Sequence, residues 1–396
     1  MTTAPSRSAT ETDELLRRLM SFDSRNPDLS PESPGERPLA EAVAVLLRER
    51  GLQTELHDAV GDRPNVVGVL PGTPGQPTVL FEAHLDTVPE PPGGIPVREE
   101  GRRLFGRGTC DTKGSLAAMI VAAGRIAELP GTRPTLVVAG VTDEEYIMRG
   151  AAVLPAQMPP VDAVVIGEPT SLAPVRAHNG FIRVRVQVGG RSAHSSKAHL
   201  GVNAIVHAAR VVTALDDTLG ERLRGRPHTL TGPALLSPTM VSGGVAPNVV
   251  PDRCEVMFDR RLAPDETVAV ALAEIEEVLA GLRAGGVSVR LDEPIVALPG
   301  METEERLPIV RAAEQAVADT LGRPVPAHGV TYSTDACFLS GYAGLPCVVL
   351  GPGSIDQAHT DDEWVDLDEV ATAVDVYAAL ALSLAAHMPA PDGGAR

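Results

Sequence analysis

Five short segments carry imidazoles and carboxylates in patterns suited to metal chemistry. They are Ala83-His84-Leu85-Asp86, the turn Gly106-Arg107-Gly108-Thr109-Cys110-Asp111, Asp143-Glu144-Glu145, Gly167-Glu168-Pro169 and Ala358-His359-Thr360. If one rim gathered them, so many carboxylates at close range would repel strongly in a cleft. A divalent ion resolves that repulsion. Mixed imidazole and carboxylate sets suit zinc, and also cobalt or manganese. Five candidate ligands exceed one tetrahedral site and fit two ions sharing a carboxylate about 3.5–4 Å apart. Cys110, Cys254, Cys337 and Cys347 stand far apart with no CxxC pair. A thiolate site is therefore excluded, and a reducing cytoplasm is expected.

Most of these residues follow runs that read as strands: 65–70, 78–82, 135–141, 163–166 and 347–350. Between them lie helix-patterned stretches at 114–129, 307–321 and 368–386, the first closed by Pro130. Alternation of strand and helix predicts an α/β fold with a mainly parallel sheet. In such a sheet ligands bind beyond the carboxyl ends of the strands, where these residues fall.

The middle of the chain has a different texture. Residues 181–188, FIRVRVQV, alternate strictly and predict a strand with one wet face. Helix 203–219, strands 239–250 and 254–261, helix 266–283 and strand 287–291 follow. That order, β-α-β-β-α-β, is a split βαβ unit inserted into the α/β domain. The expected division is a catalytic domain made of residues 1–178 and 294–396, with 179–293 as the insert. Residues 389–396 read as a frayed end.

The chain has 396 residues, 43% hydrophobic and 22% charged, the balance of a soluble globular protein. Its formal net charge of −18 argues against nucleic acid, since phosphate binding needs a basic face. No run approaches the roughly 18 uninterrupted apolar residues of a membrane span. The first 20 residues lack the apolar core of a secretory signal, so no membrane or export partner is expected.

An ordered set of motifs then points to a family. HLDTVP at His84, GRGTCDTKG around Asp111, TDEE ending at Glu145, GEPT at Glu168, GRSAHSS at His194, NVVPD at Asn248, DRRLAP ending at Pro264 and AHTDDE at His359 occur in sequence. The chain resembles the M20 metallohydrolases, the group of acetylornithine deacetylase, succinyl-diaminopimelate desuccinylase, aminoacylase and glutamate carboxypeptidase. The resemblance implies two zinc ions per chain, one held by His84 and Glu168, the other by Glu145 and His359, with Asp111 bridging. It makes Glu144 the general base and Asp86 the acceptor that fixes the His84 tautomer. Adjacent residues point apart, so Glu145 can bind metal while Glu144 faces the reaction.

The insert matches the family's lid, which implies a homodimer formed through it. His194 would stabilise the oxyanion, typically across the dimer, and Arg261 and Asn248 match positions near the substrate's carboxylate. Arginine suits that task because its planar fork grips a carboxylate bidentately. Asp259 beside it offers a competing structural salt bridge.

The resemblance implies a zinc-dependent amidohydrolase of amino-acid metabolism cleaving N-acyl amino acids. A dipeptidase or carboxypeptidase of the same family is the alternative. A metal-binding protein without catalysis is the alternative of another class, disfavoured because Glu144 and His194 are both present. Two departures bear on the substrate: Thr112 where many relatives carry an acid, and Tyr146-Ile147-Met148-Arg149 where many have a glycine. His57, His178, His199, His207, His228, His328 and His387 read as structural or surface residues. Asp361, Asp362 and Glu363 read as a charged turn, and Cys110 as a small packed residue.

Overall fold

A computed structural model describes residues 7–388, and the end segment 389–396 lies outside the described residues. The chain divides into two compact units. One takes in the chain up to Arg176, Thr303–His328 and the chain from Thr334 onward. The other takes in Ala177–Glu302 with Gly329–Ser333. Residues 294–302 thus stay with the inserted unit, where they form the strand Val296–Leu298 on Phe181–Arg183.

The first unit is built on one sheet. Its strand order is Gln53–Val60, Arg63–Leu70, Thr135–Val141, Thr78–His84, Ala163–Ile166 and Cys347–Val349, and Val175, at the start of strand Val175–His178, pairs with Val349. The four central strands, from Thr135–Val141 through Cys347–Val349, are parallel; the outer ones pair antiparallel. Central strands buried on both faces need continuous apolar runs, and Thr78–His84 and Thr135–Val141 are buried at every position after the first. The Ala-rich helix Gly114–Glu128 lies in the core against Leu367–His387, with Met119, Phe81 and Tyr377 all fully buried. The Phe81 and Tyr377 ring centroids are 5.5 Å apart. Leu367–His387 is long and apolar enough by composition to cross a membrane, but its apolar stripe, Val370 to Leu384, is spent on this core.

The second unit has an antiparallel sheet in the order Leu235–Gly243, Arg253–Leu262, Gly180–Gly189, Ser288–Leu291. Helices Ala204–Ala214 and Val268–Ala284 share its core with Val184, Val186, Phe258 and Ile275. Gly180–Gly189 alternates buried and half-buried positions, as its sequence alternates. One expected boundary is wrong. The strand expected at 239–250 begins at Leu235 and ends at Gly243, with Val249–Val250 a separate short strand. Pro238 falls inside the strand; an edge strand tolerates it because one side makes no ladder bonds, and the register shifts there.

Candidate metal centre

The parallel strands deliver the acidic rim. His84 is the last residue of Thr78–His84, and its ladder partner across the sheet is Val141. The next strand therefore opens at the same level into Asp143-Glu144-Glu145. Glu168 follows Ala163–Ile166 by two residues, and His359 lies ten residues beyond Cys347–Val349. Asp111 sits in the tight turn Thr109–Lys113 that leads into helix Gly114–Glu128.

The first unit brings these side chains together. His84 Nε2 lies 2.9 Å from Asp111 Oδ1 and 3.9 Å from Glu168 Oε1. His359 Nε2 lies 3.2 Å from Asp111 Oδ2 and 3.1 Å from Glu145 Oε2. Asp111 thus turns one carboxylate oxygen to each imidazole. His84, Asp111 and Glu168 are 2%, 5% and 6% exposed, whereas the His359 side chain is 52% exposed. Ligand atoms of His84, Asp111 and Glu145 fall within 4.8 Å of one another, as do those of His84, Glu144 and Glu168.

The electrostatics show what is compensated. Burial opposes charge on His84, but Glu168 and Asp111 hold its pKa well above the ordinary imidazole value. Hydrogen bonds to Asp111 and Glu145 push His359 up to about 11. Burial works to raise Asp111, yet its bonds to both imidazoles hold it below the usual carboxylate range. Burial, reinforced by neighbouring carboxylates, raises Glu144 and Glu168. Protons on two imidazoles thus do the work of cations in this acid-rich pocket. Divalent ions fit the donor set: two imidazole nitrogens and carboxylate oxygens divide into two groups around one shared carboxylate.

Asp86 departs from expectation. Its carboxylate Oδ1 is 3.8 Å from His84 Nδ1, and the ring's close partner is the Asp86 backbone oxygen at 2.8 Å. A carbonyl can only accept, so Nδ1 carries a proton in either charge state, and once Nε2 gives up its own proton its lone pair faces the rim. The Asp86 carboxylate accepts the backbone N–H groups of Glu144 and Glu145, at 3.0 and 3.1 Å.

Glu363 is a correction. It is fully buried, and Oε1 accepts the N–H groups of Gly108, Cys110 and Asp111 at 2.9, 3.0 and 3.1 Å, while Oε2 meets Arg107 at 2.7 Å. It cradles the turn that presents Asp111. A single acid in an acidic run gave no sequence signal for this; its distinction is the company of Trp364 and Val365, which start a strand. Thr112, the departure beside Asp111, donates its hydroxyl to the Gly167 carbonyl and ties that turn to the Glu168 loop. Met148, in the stretch lacking a glycine, takes a φ of 59°, the region a glycine adopts without cost. Also missed were Glu82 and Asp335, two fully buried carboxyls close enough to perturb each other. Burial first, then the Glu82 charge, raises Asp335, and burial raises Glu82 to about 7 against the pull of His84.

The remaining predicted residues lie in the second unit. The short ladder of Ala193–His194 on Val249–Val250 sets His194 opposite Val249, next to Asn248. The Asn248 carbonyl accepts the Ser195 N–H at 3.0 Å. Both His194 and Asn248 are exposed. The Ser196 N–H donates to His194 Nδ1 at 3.2 Å, so the neutral ring carries its proton on Nε2, outward as a donor. Arg261 stands on Arg253–Leu262 opposite Phe181, and its Nε donates to Asp259 at 2.7 Å, the salt bridge weighed as its competitor. His178 is fully buried and lowered by that burial to about 4, a core histidine. Cys110 is buried with its thiol 3.4 Å from the Ser354 carbonyl, a packed residue.

Comparison with known proteins follows the same lines. The family model described as peptidase family M20/M25/M40 matches residues 80–383. An acetylornithine deacetylase of Vibrio atlanticus (strain LGP32) is 32% identical over 381 residues, spanning 92% of this chain and 96% of that protein. The aminopeptidase PepT from Bacillus cereus ATCC 10987 superposes with a TM-score of 0.80 at 22% identity, covering 95% of this chain and 99% of that one. YXEP of Bacillus subtilis, described as a dinuclear metal binding peptidase of family M20, gives 0.73 at 18% identity over 96% and 99%.

Proposed function

We propose that this chain, which belongs to peptidase family M20/M25/M40 and is a hydrolase, uses two zinc ions to deacylate N-acyl amino acids. The observation that carries the two-ion reading is Asp111, whose two oxygens face His84 and His359 at 2.9 and 3.2 Å. In this reading His84 and Glu168 would hold the first ion, Glu145 and His359 the second, and Asp111 would serve both. Cobalt or manganese would fit the same donors.

Divalent ions, when bound, supply a Lewis acid and lower the pKa of coordinated water toward neutrality. The protein's part is positioning and proton transfer. Glu144 is the base: burial, reinforced by neighbouring carboxylates, raises its carboxyl above the ordinary glutamate value, the direction that makes it a stronger proton acceptor. It takes a proton from water and delivers it to the leaving amine. His194 supports the oxyanion through its Nε2–H. Arg261 and Asn248 receive the substrate's carboxylate, with Asp259 fixing one edge of the guanidinium.

We also take the active form to be a homodimer through the second unit. Strand Leu235–Gly243 is an edge, with Leu235, Met240 and Val241 exposed at 49%, 70% and 69%. An exposed apolar edge strand is a surface that proteins cover. Met240→Lys should then shift the sedimenting species from dimer to monomer. A cytoplasmic setting is supported by four free, buried cysteines.

The experiment is a hydrolysis screen of N-acetyl, N-succinyl and N-formyl amino acids alongside dipeptides, with metal content measured in parallel. Cleavage of N-acyl amino acids with about two metal equivalents supports the reading. Cleavage of dipeptides alone makes the chain a peptidase of the same machinery. Metal binding without turnover on any substrate leaves the non-catalytic alternative.

A further inference from the structure

We propose that Asn26 and Arg63 are positioning residues for the reaction, holding the turn that carries Glu144 from behind. The inference rests on the assignment of Glu144 as the base. Both residues precede residue 80, where the family match begins.

The turn after Thr135–Val141 is not held by regular structure. Asp143 has a φ of 72°, in the left-handed region that aspartate tolerates better than most side chains but still at some cost. Three successive N–H groups of this turn go to buried carboxylates. Asp143 donates to Glu36 Oε1 at 3.2 Å, Glu144 to Asp86 Oδ1 at 3.0 Å and Glu145 to Asp86 Oδ2 at 3.1 Å. The turn is therefore as well placed as Glu36 and Asp86 are.

Those carboxylates are fixed by Asn26 and Arg63. Asn26 Nδ2 donates to Asp86 Oδ2 at 2.7 Å and to Asp143 Oδ1 at 3.1 Å. Its orientation is not free: Oδ1 accepts the Asp28 N–H at 3.0 Å, and its own N–H donates to the Thr87 carbonyl at 2.9 Å. Arg63 grips Glu36 with two bonds, 2.7 and 2.6 Å, and reaches Asp143 at 3.0 Å and Asp28 at 2.8 Å. Arg149 supplies the other cation, at 2.6 and 2.8 Å from the two Asp143 oxygens. Asn26, Glu36, Asp86 and Asp143 are all at most 1% exposed. A neutral amide between two buried carboxylates, and a fork that joins Glu36 to Asp143, leave the turn one arrangement. Among the described residues neither Asn26 nor Arg63 hydrogen-bonds to His84, Asp111, Glu145, Glu168 or His359 side chains, so their effect reaches the reaction through the backbone of the turn, Asp143 and Glu145 as well as Glu144.

The test is a double-mutant cycle in the full-length, metal-loaded protein, with the best substrate from the screen. Asn26→Ser removes both donors. It should lower kcat by about 10–10²-fold, the usual cost of losing an outer partner, with KM and metal content unchanged. In the Glu144→Gln background the same substitution should cost almost nothing further, because the group it positions is already gone. Equal fold-losses in both backgrounds, or lost metal with kcat kept, would overturn the proposal. If Asn26→Ser does not melt cooperatively, Arg63→Lys, which keeps the charge and loses the fork, runs the same cycle with the same outcomes. Glu144→Gln alone reports separately on the base: an unaltered rate there refutes that assignment, whatever Asn26 does.

Discussion

The two units hold their chemistry in opposite ways. In the first, side chains and backbone hold the acidic rim together: Glu363 accepts the Asp111 N–H and two imidazoles meet the Asp111 carboxylate, the Asp86 carbonyl holds His84, and the Asp86 carboxylate accepts the N–H groups of Glu144 and Glu145. In the second, His194 and Asn248 stand exposed on a two-residue ladder, and Arg261 leans on one aspartate. The rim is preorganised for ions that must be held whether or not substrate is present. The second unit leaves its polar groups exposed, and in the proposed function substrate or a second copy of the chain would meet them. Preorganisation costs desolvation and repulsion, and the raised carboxyls of Glu144 and Glu168 are where that cost is visible.

The sharpest way to break this contrast is Glu144→Gln. If the rim separates base from ligand, kcat should fall by about 10²–10⁴-fold with metal content nearly intact. Glu145→Gln should instead weaken one ion. A Glu144→Gln protein that loses metal and keeps its rate would reverse the two roles. Next comes His194→Ala, expected to lower kcat by about 10²–10³-fold while leaving metal content untouched. If the donor is completed by a second copy, mixing His194→Ala chains with Glu144→Gln chains should restore activity in the heterodimers. Verified exchange with no recovery would confine His194 to its own chain.

The same contrast governs what could be read in the sequence. His84, Glu145, Glu168 and His359 were legible because they come after strands of a parallel sheet, which bring them to one rim, and Asp111 because its glycine-rich turn opens the helix Gly114–Glu128. The β-α-β-β-α-β order was legible from periodicity in FIRVRVQV and its neighbours. What escaped was the layer behind the rim. Glu363 looked like one more acid in Asp361-Asp362-Glu363, because its burial follows from the strand Trp364–Asp366 pairing with Arg103–Phe105 some 260 residues away in sequence. Asn26, Glu36 and Arg63 carry no spacing pattern, since their partners come from four separate segments. The Asp86 error has the same origin. Its position two residues after His84 predicted side-chain contact, but the turn at Glu144 competes for its carboxylate and offers two N–H donors.

Glu363 offers a smaller test of the rim. Glu363→Gln keeps the shape and can still accept one N–H, but loses the charge that faces Arg107 and the three amides. Metal affinity should weaken by about 10–10²-fold, while His194-dependent steps stay as they are. Chelator competition measures it. Unchanged affinity would mean that the Asp111 turn holds itself.

The smallest expected effect concerns protons. His359 is raised to about 11 by Asp111 and Glu145, from an ordinary value of 6.5. A raised pKa in the folded state contributes stability that is fully present below 6.5 and is lost as pH climbs toward 11. His84, raised by Glu168 and Asp111 against its burial, acts with the same sign. So do the raised carboxyls of Glu144 and Glu168, which hold protons longer in the folded chain than in the unfolded one. The metal-free protein should therefore melt at progressively lower temperature between pH 6.5 and 9. Ion binding needs neutral imidazoles, so it must expel those protons, and apparent affinity should tighten by about tenfold per pH unit for each proton released. Melting curves of the loaded and metal-free forms should thus separate as pH rises. Curves that stay parallel would mean that the imidazoles are already neutral without metal, and that the rim's carboxylates are compensated by something other than His84 and His359.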